Sequence, residues 1–306
     1  EEGSLPLTLA DLPTEISGID TIVVLIIDDG SIDKTVEIAK KNGVQHVIRH
    51  KSNKGLASAF KTGLEKCFEM NADIIVNTDA DNQYPGRYIK DLVLPIINNK
   101  ADIVIGDRQT DSIKHFSFVK KLLQKAGSWT VRKVSGTSVP DAPSGFRAYS
   151  KDAAMKLNIL TNYTYTLETI VQAGKKNMNM HYIPIKTNKV ERPSRLFTSN
   201  FQYVLRSAKT IFRLFVRYEP LKFFYFLSLP FFLSGSFLWI RYLFLILNEN
   251  ALRGAFIQSV IVGGVCLIIG VLIFCLGLIG DLLAKNRLIS EETLFIMRKS
   301  NISNNK

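Results

Sequence analysis

Thr21-Ile22-Val23-Val24-Leu25-Ile26-Ile27-Asp28-Asp29-Gly30-Ser31 is an apolar run that ends in two adjacent carboxylates and a turn. A second stretch repeats the pattern: Ala72-Asp73-Ile74-Ile75-Val76 passes through Asn77-Thr78 into Asp79-Ala80-Asp81-Asn82-Gln83. Short runs rich in Ile and Val, bounded by turn residues, read as strands. In an open parallel sheet, ligands bind in the crevice outside the carboxyl ends of the strands, so both acidic pairs face one site. Carboxylates gathered there need a compensating cation, and a divalent metal carrying a diphosphate is the natural one.

Each pair alone has a plainer explanation. Asp-Gly after a strand is a common turn, and Asp33 could cap the helix that follows. Asp79-x-Asp81 is more telling, because a turn gains little from a second acid that repels the first. The two pairs together, each at a strand end, favour the site.

Around them, the first 185 residues alternate strand-like runs with amphipathic stretches, the pattern of a βα-repeat domain. Strands are predicted at Thr21–Ile27, Ala72–Val76, Ala101–Ile105 and His181–Ile185, with a short piece near His46–Ile48. Helices are predicted at Asp33–Asn42, Gly55–Met70, Tyr88–Asn98, Val119–Val134, Lys151–Leu157 and Tyr165–Ala173. Gly43 and Gly174 are the expected helix stops, since glycine tolerates the left-handed conformation.

The remainder is of another kind. Phe223–Ile240 holds no charged residue over 18 positions and Ala255–Gly280 none over 26. At 1.5 Å per residue these span roughly 27 and 39 Å, against a hydrocarbon core of about 30 Å. Two membrane spans are therefore expected, the first extending through a snorkelling Arg241 to Leu247. The net charge of +12 is concentrated beside them: nine Lys/Arg against Glu191 and Glu219 between Lys186 and Lys222, then Lys285, Arg287, Arg298, Lys299 and Lys306. The positive-inside rule puts both flanks, and with them the N-terminal domain, on the cytoplasmic face. Basic residues next to a bilayer point to anionic membrane lipids as partners and not to nucleic acid. Ser199–Arg217 places Phe201, Val204, Leu205, Ala208, Ile211, Phe212 and Phe215 at helical spacing, which predicts an amphipathic helix lying in the interface. Cys67, Cys266 and Cys275 lack any disulfide or zinc spacing.

Several motifs taken together resemble the family-2 glycosyltransferases of the GT-A fold, in particular the dolichol- or polyprenyl-phosphate mannose synthase-like branch. They are Asp28-Asp29-Gly30-Ser31 with Asp33 and Thr35; Asn53-x-Gly55 with Gly63; Asp79-Ala80-Asp81-Asn82-Gln83; Ile105-Gly106-Asp107-Arg108; Asp141 with Ser144-Gly145-Phe146-Arg147; Glu168; and Arg192-Pro193-Ser194-Arg195. The likeness implies a Rossmann-like, doubly wound and mostly parallel sheet in residues 1–198. A juxtamembrane helix at 199–220, two transmembrane helices within 221–284 and a cytoplasmic tail at 285–306 would follow. Family members also carry an earlier strand whose Pro-x-Tyr-Asn-Glu-like turn contacts the nucleotide. Glu1-Glu2 match its end, so that strand is expected to be missing from this chain, and Glu1 counts as a nucleotide-sugar ligand.

The resemblance also implies roles. Asp28 and Asp29 would hold base and ribose, with Asp79 beside nucleotide and metal. Asp81 and Gln83, with Asp79, would offer oxygens to Mg²⁺ or Mn²⁺, although Tyr84 stands where relatives carry histidine. Arg108, Arg147, Arg192 and Arg195 are the acceptor-phosphate residues, and Asp81, Arg108, Arg147 and Asp141 the catalytic set. Asp141 and Glu168 would tune the arginines or touch the sugar. Ser128 stands where relatives often carry asparagine. The implied activity is inverting transfer of a hexose, mannose or glucose, from a GDP- or UDP-sugar to a polyprenyl or dolichyl phosphate. A lipid-hydroxyl or polysaccharide acceptor, a non-catalytic nucleotide-sugar-binding scaffold, and assembly as a homo-oligomer remain open alternatives.

Overall fold

The computed structural model describes residues 1–109, 118–160, 165–188, 209, 212–213, 215–247 and 257–304, excepting the side chains of 118–126 and 303–304. The chain forms two compact units, Glu1–Ile211 with Glu291–Lys306, and Phe212–Ser290.

In the first unit, helices α1 (Leu5–Ala10), α2 (Thr35–Lys41), α3 (Leu56–Glu69), α4 (Ile89–Ile97), α5 (Phe118–Ser135), α6 (Lys151–Lys156) and α7 (Thr166–Lys175) intersperse six strands. These are β1 (Leu25–Asp28), β2 (His46–Arg49), β3 (Ile74–Asn77), β4 (Ile103–Asp107), β5 (Arg147–Ser150) and β6 (Met180–Pro184). β1 and β2 pair in parallel, and the other four form a sheet in the order β3-β5-β4-β6. There β4 and β6 are parallel, while β5 runs antiparallel to both its neighbours. The expected α/β fold is present, with a parallel β1–β2 pair and a mixed four-stranded sheet where one mostly parallel sheet was predicted.

β5 is the strand the pattern concealed. Arg147-Ala148-Tyr149-Ser150 is short and opens on arginine, yet its first three residues are wholly buried between β3 and β4. Its direction builds the site. Because it is antiparallel, its first residue lies at the carboxyl ends of its neighbours, Arg147 opposite Asn77 of β3 and Ile105 of β4. The Ser144–Phe146 segment is thereby delivered beside the β3 and β4 loops.

The core gathers where the sheet is covered on its faces. Ile103, Val104 and Ile105 of β4 are all buried, which explains their continuous apolar run. Leu92, Val93 and Ile96 of α4 pack with Val104, Phe146 and Ala148, each such side chain contributing about 2 kcal/mol. Gly43 is left-handed (φ 82°), as expected of a helix stop. Gly174 is not: α7 runs through it to Lys175, and the left-handed residue is Asn177 (φ 51°). Close approach explains Gly174, since a Cβ there would fall 2.0 Å from the Ser135 carbonyl oxygen.

The second unit holds α8 (Pro220–Leu247) and most of α9 (Ile257–Asn304), both long and apolar enough to cross a membrane. Along α9, Gly263, Gly270 and Gly277 recur every seventh residue against Trp239, Phe232 and Phe224 of α8, letting large aromatic rings sit on the facing backbone. The residues expected as a tail are helical as far as Asn304, and those from Glu291 onward belong to the first unit. There Arg298 Nη1 donates to the Met155 and Leu157 carbonyls at 2.7 and 3.0 Å, and Lys176 pairs with Glu291 at 2.8 Å. Most of the amphipathic helix predicted over 199–217 lies outside the described residues; Lys209, Phe212, Arg213 and Phe215–Arg217 are helical.

Candidate active site

At the end of β1 the two adjacent carboxylates are held very differently. Asp29 is taken up by its own chain: Oδ1 accepts from Lys54 N (2.9 Å) and meets His50 Nδ1 (2.6 Å), and Oδ2 accepts from Gly55 N (2.8 Å). Gly30, at φ 79°, lets this turn lie on the next loop, where a Cβ would come within 2.8 Å of the Ser52 carbonyl carbon. Asp28 is buried, with Oδ1 accepting from Ser31 N at 3.0 Å. Its Oδ2 lies 3.1 Å from Arg49 Nε, an ionic contact, yet accepts no hydrogen bond. The Asp28 side chain has no exposed surface, whereas Asp29 keeps 20% of its own. Asp29 thus already serves three donors of its own chain.

Beyond β3, the Asp79 carboxylate lies against Gly145, where a Cβ would sit 3.1 Å from the Tyr165 hydroxyl and 3.2 Å from Asp79 Oδ2. Burial pushes the Asp79 carboxyl up to about 6; the charge of Asp81 adds to the rise, Arg108 opposes it, and Glu1 and Arg147 act weakly in opposite senses. Asp81 Oδ1 accepts from Gln83 N at 3.0 Å across the left-handed Asn82 (φ 58°). Asn188, just past β6, clasps the same turn by donating to the Gln83 and Asn82 carbonyls, each at 3.0 Å. Tyr84 is buried, stacks on Phe146, and accepts from Gly145 N at 3.3 Å. Asn77 Nδ2 donates to both the Gly145 carbonyl and the Tyr165 hydroxyl at 2.8 Å. Glu1 Oε2 lies 3.1 Å from Ser4 Oγ, which donates to the Ala80 carbonyl at 2.8 Å, so α1 also grips the acidic loop.

The β4 end brings a cation. Arg108 and Asp141 form a two-pronged pair, Nε to Oδ2 at 2.7 Å and Nη2 to Oδ1 at 2.9 Å, with Arg108 10% and Asp141 2% exposed. Asp141 therefore fixes the direction of the Arg108 guanidinium. The Ser128 hydroxyl accepts from Ala142 N at 3.3 Å and ties this loop to α5. Arg147 departs from expectation. It is wholly buried, and its guanidinium donates to the Ser144, Thr166 and Ala142 carbonyls and to Thr169 Oγ1, all within 2.9 Å. It braces the Gly145 loop from behind, with no face open to an acceptor phosphate. Glu168 is likewise buried and accepts from Leu160 N at 3.2 Å. Arg192 and Arg195 lie outside the described residues.

Residues 2–157, about half of the chain, match the sequence profile of glycosyl transferase family 2. The chain belongs to that family. An uncharacterized protein of Methanocaldococcus jannaschii is 36% identical over 192 residues, covering 61% of this chain and 77% of its own length. The UDP-N-acetylglucosamine–dolichyl-phosphate N-acetylglucosaminyltransferase of Methanococcus voltae is 33% identical over 54% of this chain and 74% of its own. The undecaprenyl-phosphate mannosyltransferase of Micrococcus luteus is 27% identical over 62% and 79%. Among solved structures, glucosyl-3-phosphoglycerate synthase from Mycobacterium tuberculosis, in complex with Mn²⁺, UDP and glucosyl-3-phosphoglycerate, superposes with a TM-score of 0.53. At 17% identity over 71% of this chain and 75% of that one, it establishes a shared fold.

For this family-2 glycosyltransferase, the acidic loop fits a divalent cation. Asp79 and Asp81 repel one another, and among the described residues no hydrogen bond reaches either Asp79 oxygen. No described group of three or more His, Cys, Asp or Glu forms a metal site by itself, so further oxygens would have to come from Gln83 and a ligand. Sequence reasoning missed His50, Asn77 and Tyr165. Of these, only Asn77, at the end of a predicted strand, carried a signal.

Proposed function

We propose that this chain is an inverting, metal-dependent hexosyltransferase that moves a sugar from a nucleotide diphosphate donor to a polyprenyl or dolichyl phosphate at the cytoplasmic membrane face. The observation that carries the reading is the convergence of the mutually repelling Asp79–Asp81 pair, Gly145 and the Asp141-oriented Arg108 at the carboxyl ends of β3 and β4. The names of the Methanococcus voltae and Micrococcus luteus relatives favour a lipid phosphate as acceptor.

Asp28 and Asp29, adjacent at the end of β1, would hold the nucleotide's base and ribose as carboxylate acceptors. Asp79, Asp81 and Gln83 would hold Mg²⁺ or Mn²⁺, which as a Lewis acid stabilises charge on the departing diphosphate. Gly145 leaves room for the Asp79 carboxylate, and Arg147 holds that loop in place. Arg108, with Arg192 and Arg195, draws the acceptor phosphate to the anomeric carbon by charge-assisted contacts. A phosphate oxygen then bonds to that carbon as its bond to the diphosphate breaks, and the electron pair leaves with the nucleoside diphosphate. No general base is required, because the acceptor is already an anion, and positioning can supply much of the rate.

Membranes containing the protein, given dolichyl phosphate and radiolabelled GDP-mannose, UDP-glucose or UDP-N-acetylglucosamine, should yield an organic-extractable, mild-acid-labile labelled lipid. Label appearing only in a lipid-phosphate-independent saccharide would refute the acceptor assignment. Absence of transfer from all three donors would refute the donor range.

A further inference from the structure

We propose that His50 is a positioning residue for the nucleotide pocket: it fixes Asp29, which in turn pins the Asn53–Gly55 backbone at the end of β1. This rests on the functional reading above and deepens it. His50 is buried between Asp29 and Thr62, with Nδ1 2.6 Å from Asp29 Oδ1 and Nε2 3.0 Å from Thr62 Oγ1. A carboxylate only accepts, so Nδ1 carries a proton and donates to Asp29, while Nε2 is anchored on the threonine hydroxyl. The same residue holds the neighbouring acid through its main chain, since His50 N donates to the Asp28 carbonyl at 2.8 Å.

The ends of β1 and β2 are thus fused through one residue. Arg49, immediately before it, adds the ionic contact to Asp28 and a 2.7 Å bond to the Ser31 carbonyl. With three donors converging on it, Asp29 is fixed in place and in turn orders the Lys54 and Gly55 amides. Loss of the Nδ1 donor would free Asp29 to rotate and disorder those amides.

The test separates the two ring nitrogens in the full-length protein. Asparagine places its amide nitrogen near the Nδ1 position, whereas glutamine places its own near Nε2. With UDP or GDP plus Mn²⁺ as the titrant, His50→Asn should bind within about threefold of the unaltered protein, and His50→Gln and His50→Ala about tenfold or more weakly. In turnover the defect should appear as raised KM for the nucleotide sugar with little change in kcat. Amide hydrogen exchange at Lys54 and Gly55 should quicken in the Gln and Ala variants and stay slow in Asn. An Asn variant as weak as Ala, or a defect confined to kcat, overturns the proposal. If the unaltered protein binds neither nucleotide while the exchange pattern holds, the pin stands and the functional reading falls.

Discussion

Asp28 and Asp29 are the same side chain at adjacent positions, and their difference lies in what reaches each of them. Sequence located the pair at a strand end but could not tell which acid is committed, because that depends on His50, Lys54 and Gly55, 21 to 26 residues away. The same holds for the arginines: Arg108 and Arg147 read alike, yet one is oriented by Asp141 near the surface and the other is buried among carbonyls. Asp81 carries the sharpest residue-level prediction. Asp81→Asn should lower transfer by about 10²–10³-fold while the protein remains folded, since one charged oxygen ligand is lost; full turnover of the purified variant with added Mn²⁺ would refute the metal assignment. Asp79 adds a pH dependence. Its carboxyl is pushed up to about 6, chiefly by burial, so the folded metal-free protein keeps the proton to higher pH than the unfolded chain does. That contribution to stability is complete below the ordinary carboxylate value of about 4 and is lost as pH rises through about 6. Cation binding requires the ionised form, so Mn²⁺ affinity should fall towards about tenfold per unit below pH 6. Titration calorimetry between pH 5 and 8 reads this directly, and a flat profile would contradict it.

At the scale of elements, every predicted strand has an observed counterpart, because each is an apolar run whose periodicity does not depend on distant partners. β5 was not visible, since its four residues become a strand only by lying between β3 and β4. That omission hid how Gly145 comes to meet Asp79, a contact of tertiary origin. The C-terminal end of α9 poses the same problem in reverse. Its charged residues read as a tail, yet Arg298 closes the end of α6 through two carbonyls, and its guanidinium lies over the Phe68 ring. Two bonds from a charged donor should stabilise the first unit by about 1.5–3 kcal/mol. Arg298→Met, which keeps much of the stem, should therefore lower the thermal midpoint by several degrees, about 2–8 °C. An unchanged midpoint would mean that the segment rests there without contributing.

For the whole molecule, the decisive constraint is one of parity. Glu1–Ile211 and Glu291–Lys306 form one compact unit, linked by the Lys176–Glu291 pair and the Arg298 bonds, so both stretches occupy the same side of any membrane. The chain between them must then cross an even number of times. Two helices, α8 and α9, are long and apolar enough to do so, in agreement with the spans read from uncharged runs. The parity comes from packing and the spans from hydropathy, so each checks the other. The proposed cytoplasmic face rests on charge: Lys and Arg crowd the flanks between Lys186 and Lys222 and after Lys285, whereas one arginine and one glutamate lie between the spans. Single cysteines introduced at the exposed Lys54, at Asn301 and at Asn250, in a background lacking Cys67, Cys266 and Cys275, would read the arrangement. A membrane-impermeant maleimide added outside intact cells should label Asn250→Cys alone, with the other two reacting only after permeabilisation. Labelling of Lys54→Cys and Asn301→Cys from opposite sides would break the parity. Labelling of both from outside would keep the parity and reverse the face, placing the acidic crevice away from a cytoplasmic pool of nucleotide sugar.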